Sequence, residues 1–155
     1  MIQIKQSKTA DTRSCDFVNV TKDQLLESSH QHISDVSQGL LFFRKMLIDA
    51  SMNHDHDKLS DIDGFHRDFI TGFKQTKWWD NHRKVNRHHL IAEDGVPEDV
   101  NLIDVLDMIT DMVMASKGRG TSFPIEIHPD ILMAAFINTV TLLKLNVEVI
   151  RDYND

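Results

Sequence analysis

Thr21–Ala50 reads TKDQLLESSHQHISDVSQGLLFFRKMLIDA, and its period decides the fold class. Thr21 followed by Gln24 has the form of a capping box, in which each side chain accepts from the other residue's backbone N–H at a helix start. Leu25, His32, Val36, Leu40, Phe43 and Leu47 then recur at the spacing of one helix face. A helix from Thr21 to about Ala50 is predicted, with His32 on its apolar stripe.

Working outward, residues 51–60 are polar and predict a turn. They contain the run Asn53–Ser60, NHDHDKLS, with two consecutive histidine–aspartate doublets. Ser60 is expected to cap a second helix that turns Ile62, Phe65, Phe69 and Phe73 inward. A third helix is expected from Lys77 to Ile91, with Trp78, His82, Val85 and His89 along one side. Gly95-Val96-Pro97 breaks the chain, and a fourth helix is expected from Glu98 to Ser116. It carries Leu102, Leu106, Ile109 and Val113 on one stripe, and Asn101, Asp104, Met108 and Asp111 on the next. Lys117–Pro124, KGRGTSFP, reads as a loop. A strongly apolar last helix is expected from Pro129 to Arg151 as a core or oligomer-forming element. Upstream, residues 1–20 read as an arm with one short strand near Ile2–Lys5. Residues 21–155 then form a single all-α bundle of about five helices.

The composition limits the function. At 155 residues and 41% hydrophobic, the chain is enough for one domain with a core. A net charge of −7 argues against nucleic-acid binding through a basic face, so no direct DNA binding is expected. Cys15 is the single cysteine, so no internal disulfide can form, as suits a reducing cytoplasm. There is no apolar run near 18 residues and no signal-peptide pattern, and a cytoplasmic protein without a membrane partner is expected. Nine histidines are the compositional anomaly, and they point to metal.

Histidine and carboxylate are common ligands of Zn, Fe and Mn. His56 and Asp57 stand where a turn enters a helix, and there adjacent side chains can reach one ion. His32, His82, His88, His89 and Asp111 are the other candidates. His30 precedes His54 by the same interval as His32 precedes His56, so His30 with His54-Asp55 is a rival set. The later set is preferred because the turn should end where the helix begins, and because His32 shares the Val36 stripe. His82 and His89 lie two turns apart, roughly 10 Å along a helix axis, which suits separate ions or one substrate contact. Asp107, one turn before Asp111, could orient a ligand histidine or could be solvated. Lys58 and the loop residues Lys117 and Arg119 are candidates for holding a phosphate. Trp78-Trp79 read mainly as core.

The pattern His32, His56-Asp57, His82, His88-His89, Asp111 resembles the HD-domain superfamily of metal-dependent phosphohydrolases. Within it, His56–Phe69 and Asn86–Met112 resemble a small uncharacterised bacteriophage family, the domain-of-unknown-function 5662 group, over about residues 28–120. The resemblance implies an HD-domain-like fold with His32, His56, Asp57 and Asp111 as primary metal ligands. It implies a second site on His82 with His88 or His89. The implied cofactor is a divalent transition metal (Mn, Fe, Zn, Co or Ni), one or two per chain. Many members of the phage group follow the doublet with a serine–lysine pair, whereas here Lys58 follows Asp57 directly.

The expected function is hydrolysis of a small phosphorylated substrate, most simply a nucleotide, by metal-activated water. Asp57 and Lys58 would be catalytic, and Lys58, Lys117, Arg119 and His88 would contact substrate. One alternative is a di-iron oxygenase of the same superfamily acting on a small molecule. Another is a non-catalytic phage protein that binds a nucleotide or a host partner. The apolar last helix adds the expectation of a homo-oligomer.

Overall fold

A computed structural model describes residues 1–6, 17–74, 77–92, 94–122 and 124–150. Apart from one two-stranded pairing, the regular structure among these residues is helical, so the fold is all-α as expected. The chain divides into two compact units, Met1–Lys45 with Thr141–Asp155, and Met46–Val140.

In the first unit β1 (Ile2–Lys5) pairs in parallel with β2 (Val147–Ile150), Ile2 standing opposite Val147 and Lys5 opposite Ile150. The first part of α1 (Lys22–Asn53) belongs here. Its capping box forms: Thr21 N donates to Gln24 Oε1 at 2.9 Å and Gln24 N to Thr21 Oγ1 at 3.2 Å. β2 corrects the expected helix to Arg151, because α6 (Pro129–Leu145) stops at Leu145. Asn146 makes the stop. Its side chain donates to Leu142 O at 2.9 Å, and its own carbonyl accepts from Ile2 N at 2.7 Å. The β-branched Val147, Val149 and Ile150 then suit a strand. Residues 7–16 of the expected arm, and Arg151, lie outside the described residues.

The second unit holds the end of α1, α2 (His56–Ser60), α3 (Ile62–Phe69), α4 (Trp78–Val85), α5 (Leu102–Gly118) and most of α6. Its core is Leu90, Val100, Val105, Met108 and Ala135, against which Val96, Ile127 and Ile131 pack. Polar bonds tie α6 to the start of α5: Asn138 Nδ2 donates to Val100 O and Leu102 N to Thr139 Oγ1, each at 2.9 Å.

Several boundaries differ from expectation, each for a local reason. α1 continues through Asn53, so the turn expected over 51–60 shrinks to His54 and Asp55. Asp55 has left-handed backbone (φ 53°), which reverses the chain before α2. Asp61, not Ser60, caps α3, its Oδ1 accepting from Gly64 N at 3.0 Å. α4 ends at Val85 rather than Ile91, because Asn86 is extended (φ −98°, ψ 111°) and its amide turns back to His82 O at 3.0 Å. α5 begins at Leu102 rather than Glu98. Asn101 Oδ1 accepts from Ile103 N and Asp104 Oδ2 from Asn101 N, each at 2.9 Å, a reciprocal cap that defines the first turn. The irregular stretch 86–101 between them carries His88, His89 and Leu90 inward.

Candidate metal centre

Asp55 is the focus of the second unit. Its left-handed turn separates α1 from α2. The turn is held by Asp55 N donating to Asn86 Oδ1 at 3.1 Å. Three histidines from the stretch 82–89 surround it. His82 Nε2 lies 3.3 Å from Asp55 Oδ1 and His88 Nε2 lies 3.6 Å from the same oxygen. His82, His88 and His89 each present a buried Nε2 without a hydrogen-bond partner, and Asp55 Oδ1 is buried and unpartnered as well. His54 Nε2 lies 3.5 Å from Asp55 Oδ2. Two groups sharing Asp55 have ligand atoms close enough to hold an ion: Asp55 with His82 and His89, and Asp55 with His54 and His88.

A surrounding layer of carboxylates sets the ring orientations. Asp57 Oδ2 lies 2.8 Å from His82 Nδ1, and Asp57 Oδ1 accepts from Asn86 Nδ2 at 2.9 Å. A carboxylate can only accept, so a proton on His82 Nδ1 satisfies Asp57 and turns Nε2 toward Asp55. Asp107 serves two rings: its Oδ1 lies 2.8 Å from His54 Nδ1 and its Oδ2 lies 3.5 Å from His88 Nδ1. Carboxylate on Nδ1 with Nε2 pointed at a common centre is the arrangement that orients metal-ligating histidines.

The electrostatics agree. Burial opposes ionisation of Asp55, but the facing His82 ring, the Lys58 ammonium on Oδ2 and the charge of His54 outweigh it. The carboxyl is held far below its ordinary range. Asp107 is likewise lowered: burial is overcome by hydrogen bonding to His88 and by the charges of His88 and His54. Burial, reinforced by the neighbouring rings of His88 and His82, pushes His89 down to about 4, so it stays neutral near pH 7. The neutral His89 ring, with its Nε2 buried and unpartnered, and the ionised Asp55 place a lone pair and an anion in one shielded site, which a cation would join. The donor set therefore fits a divalent transition metal.

The walls are aromatic and apolar. Trp78 and Trp79 flank His82, with ring centroids 5.1 and 4.9 Å away, and Trp78 also stacks on Phe65 at 4.8 Å. Both tryptophans are packed, as the sequence suggested. A cavity of about 380 Å³ reaches His54, Asp107 and Asp111 past Leu47, Leu106 and Met114. A second of about 270 Å³ reaches His88, His89 and Asp111 past Met108 and Met112. Asp111 lies in both walls, its Oδ1 3.8 Å from His54 Nε2.

The structure gathers His82, His88 and His89, leaves Asp111 beside His54 in neither ligand group, and shifts the doublet. His54-Asp55 faces the centre, whereas His56 is exposed at the first position of α2 and belongs to neither ligand group. Asp57 holds a histidine in place and stands outside both groups. His32 and its rival His30 are both exposed on the part of α1 assigned to the other unit. The polar character of 51–60 predicts a turn over the whole run, whereas Ser51–Asn53 continue α1 and Asp55's left-handed backbone ends it. Lys58 is present, ion-paired with Asp55 Oδ2. Lys117 and Arg119 are exposed at the far end of α5 and line neither cavity. Asn86 was overlooked, although an asparagine four residues after a candidate ligand histidine is a recognisable signal. Asp104, grouped with Asp111 on one stripe, turns away to cap α5 and bind Arg87 at 2.8 Å. Set against models of protein families, curated proteins and solved structures, the chain matches none.

Proposed function

We propose that this chain is a metal-dependent hydrolase of the HD-domain-like kind that its sequence resembles. Its substrate is a small phosphorylated molecule, for which nucleotides are the first class to test. One observation carries the reading: four buried ligand atoms without partners converge, on Asp55, His82, His88 and His89. Burying such atoms unsatisfied is costly, and a bound cation removes the cost at all of them together.

Asp55, His82 and His89 would hold the ion, with His54 and His88 beside them. When bound, a divalent metal supplies an acidified water and a Lewis acid for a phosphoryl oxygen. The chain's own residues do the rest. Asp57 and Asp107 keep the rings in the ligating tautomer. The Trp78 and Trp79 walls limit water on the His82 side. Asp111, half-buried between the two cavities, is positioned to accept a proton from a water entering either one. Asp55, Asp57, Asp107 and Asp111 gather carboxylates around the centre, and Lys58 is paired with Asp55, so an anionic substrate is expected to bind only the metal-loaded protein.

The test is metal analysis of protein purified without chelators, then a nucleotide hydrolysis screen with the wild type and Asp55→Asn. About one or two equivalents of Mn, Zn, Co or Ni, with turnover lost in Asp55→Asn, is the expected result. No metal retained or taken up would overturn the reading. An oxygen-using di-iron enzyme is the second reading, favoured by the two ligand groups that share Asp55 and by the apolar residues Leu47, Leu106 and Met114 in the larger cavity. Two irons per chain with oxygen consumption would put it first. Metal and tight nucleotide binding without turnover would favour the binding protein.

A further inference from the structure

Taking the centre to be a metal site, we propose that Lys58 is a built-in cation standing in for a second ion, so that the centre loads a single metal on Asp55, His82 and His89. The two oxygens of Asp55 have different surroundings. Oδ1 is buried, unpartnered, and faces the Nε2 atoms of His82 and His88. Oδ2 is held by the Lys58 ammonium. Both ligand groups use Asp55. Two ions on one carboxylate ordinarily take one oxygen each, and the oxygen left for the group of His54 and His88 is the one that Lys58 holds.

The ion pair is local to the fold. Lys58 stands three residues after Asp55, its backbone N donates to Asp55 O at 3.0 Å, and the left-handed turn brings the two side chains together. Both are mostly shielded, with side-chain exposures of 30% and 18%. Nζ also lies over the face of Phe65, 5.8 Å from its centroid, a second contact that holds the ammonium against Oδ2. Two divalent ions would by themselves neutralise Asp55, Asp57, Asp107 and Asp111, so the Lys58 charge and a second ion are alternatives at this centre.

Chelator-stripped full-length protein is titrated with Co(II), followed by its visible ligand-field bands and by native mass spectrometry. The wild type is expected to take one Co(II) per chain, Lys58→Met two, and Lys58→Arg one. Two tight ions in the wild type, or one in a folded Lys58→Met protein, would overturn the role of Lys58 while leaving the metal centre intact. No Co(II) in the wild type would overturn the metal centre itself. If Lys58→Met does not fold, the wild-type stoichiometry decides.

Discussion

Asp57 accepts from His82 Nδ1 at 2.8 Å and from Asn86 Nδ2 at 2.9 Å, so its charge acts on a ring and on an amide that also holds the Asp55 turn. Asp57→Asn removes the charge that fixes the His82 tautomer. Loss of such an orienting partner costs about 10–100-fold in metal affinity. Competition for Co(II) against a chromophoric chelator should show that loss, and unchanged affinity would speak against the orienting role. His56→Ala is the companion, because His56 is exposed. Its affinity should equal that of the wild type, and a metal-free His56→Ala protein would restore the later doublet as the ligand. The two doublets are chemically alike in the sequence. Which one faces inward depends on where α1 stops, and a contact from the other end of the unit, His54 Nδ1 with Asp107, helps to set that.

At the scale of elements, the stretch 86–101 does most to build the centre, and its shape rests on two anchors. Asp104 Oδ1 and Oδ2 take a bidentate grip on Arg87 at 2.8 and 2.9 Å while Oδ2 also closes the α5 cap. Asp104→Ala loses both, and with Arg87 partly exposed the cost should be about 2 kcal/mol, read by urea unfolding. Gly95 is the second anchor. A Cβ there would stand 2.5 Å from His89 O and 3.2 Å from Arg83 O. Gly95→Ala must therefore move the segment that carries His88 and His89. Co(II) affinity is expected to fall on the order of tenfold or more with the helical circular dichroism preserved. Equal affinity would mean that the segment adjusts without moving its ligands.

For the whole molecule, metal binding by the folded chain alone couples metal to stability. Free metal at about a hundred times its dissociation constant adds about 2.7 kcal/mol, or roughly 5–10 °C in Tm for a chain of this size. Chelation should lower the melting temperature by that amount, and re-addition of Co(II) should restore it. A melting curve indifferent to both would argue that the buried lone pairs hold no ion. α6 leaves Met133, Phe136, Ile137 and Leu145 between 54% and 74% exposed. Exposed apolar faces of this kind predict self-association, to be read by analytical ultracentrifugation. A strictly monomeric chain would remove that expectation. Among the described residues, no helix is long and apolar enough to cross a membrane.

Helices and their class could be read from residue order because helix period and capping act between residues three and four apart. Thr21 with Gln24 and the helical period of α1 are legible for that reason, and so is the stock of histidines and aspartates. The stripe read on α1 is nonetheless exposed at Leu25, His32, Val36, Leu40 and Leu47. The convergence of His54, Asp55, His82, His88 and His89 was not legible in the same way. It joins residues distant in the chain, and it depends on a left-handed Asp55 and on an asparagine that ends α4. The pairing of Ile2–Lys5 with Val147–Ile150 is equally non-local, and neither strand signals its partner. Residue order is enough to specify an all-α chain rich in metal-ligating side chains. The tertiary structure alone decided which doublet faces inward, because that choice is made by hydrogen bonds from Asn86 and Asp107 across the unit.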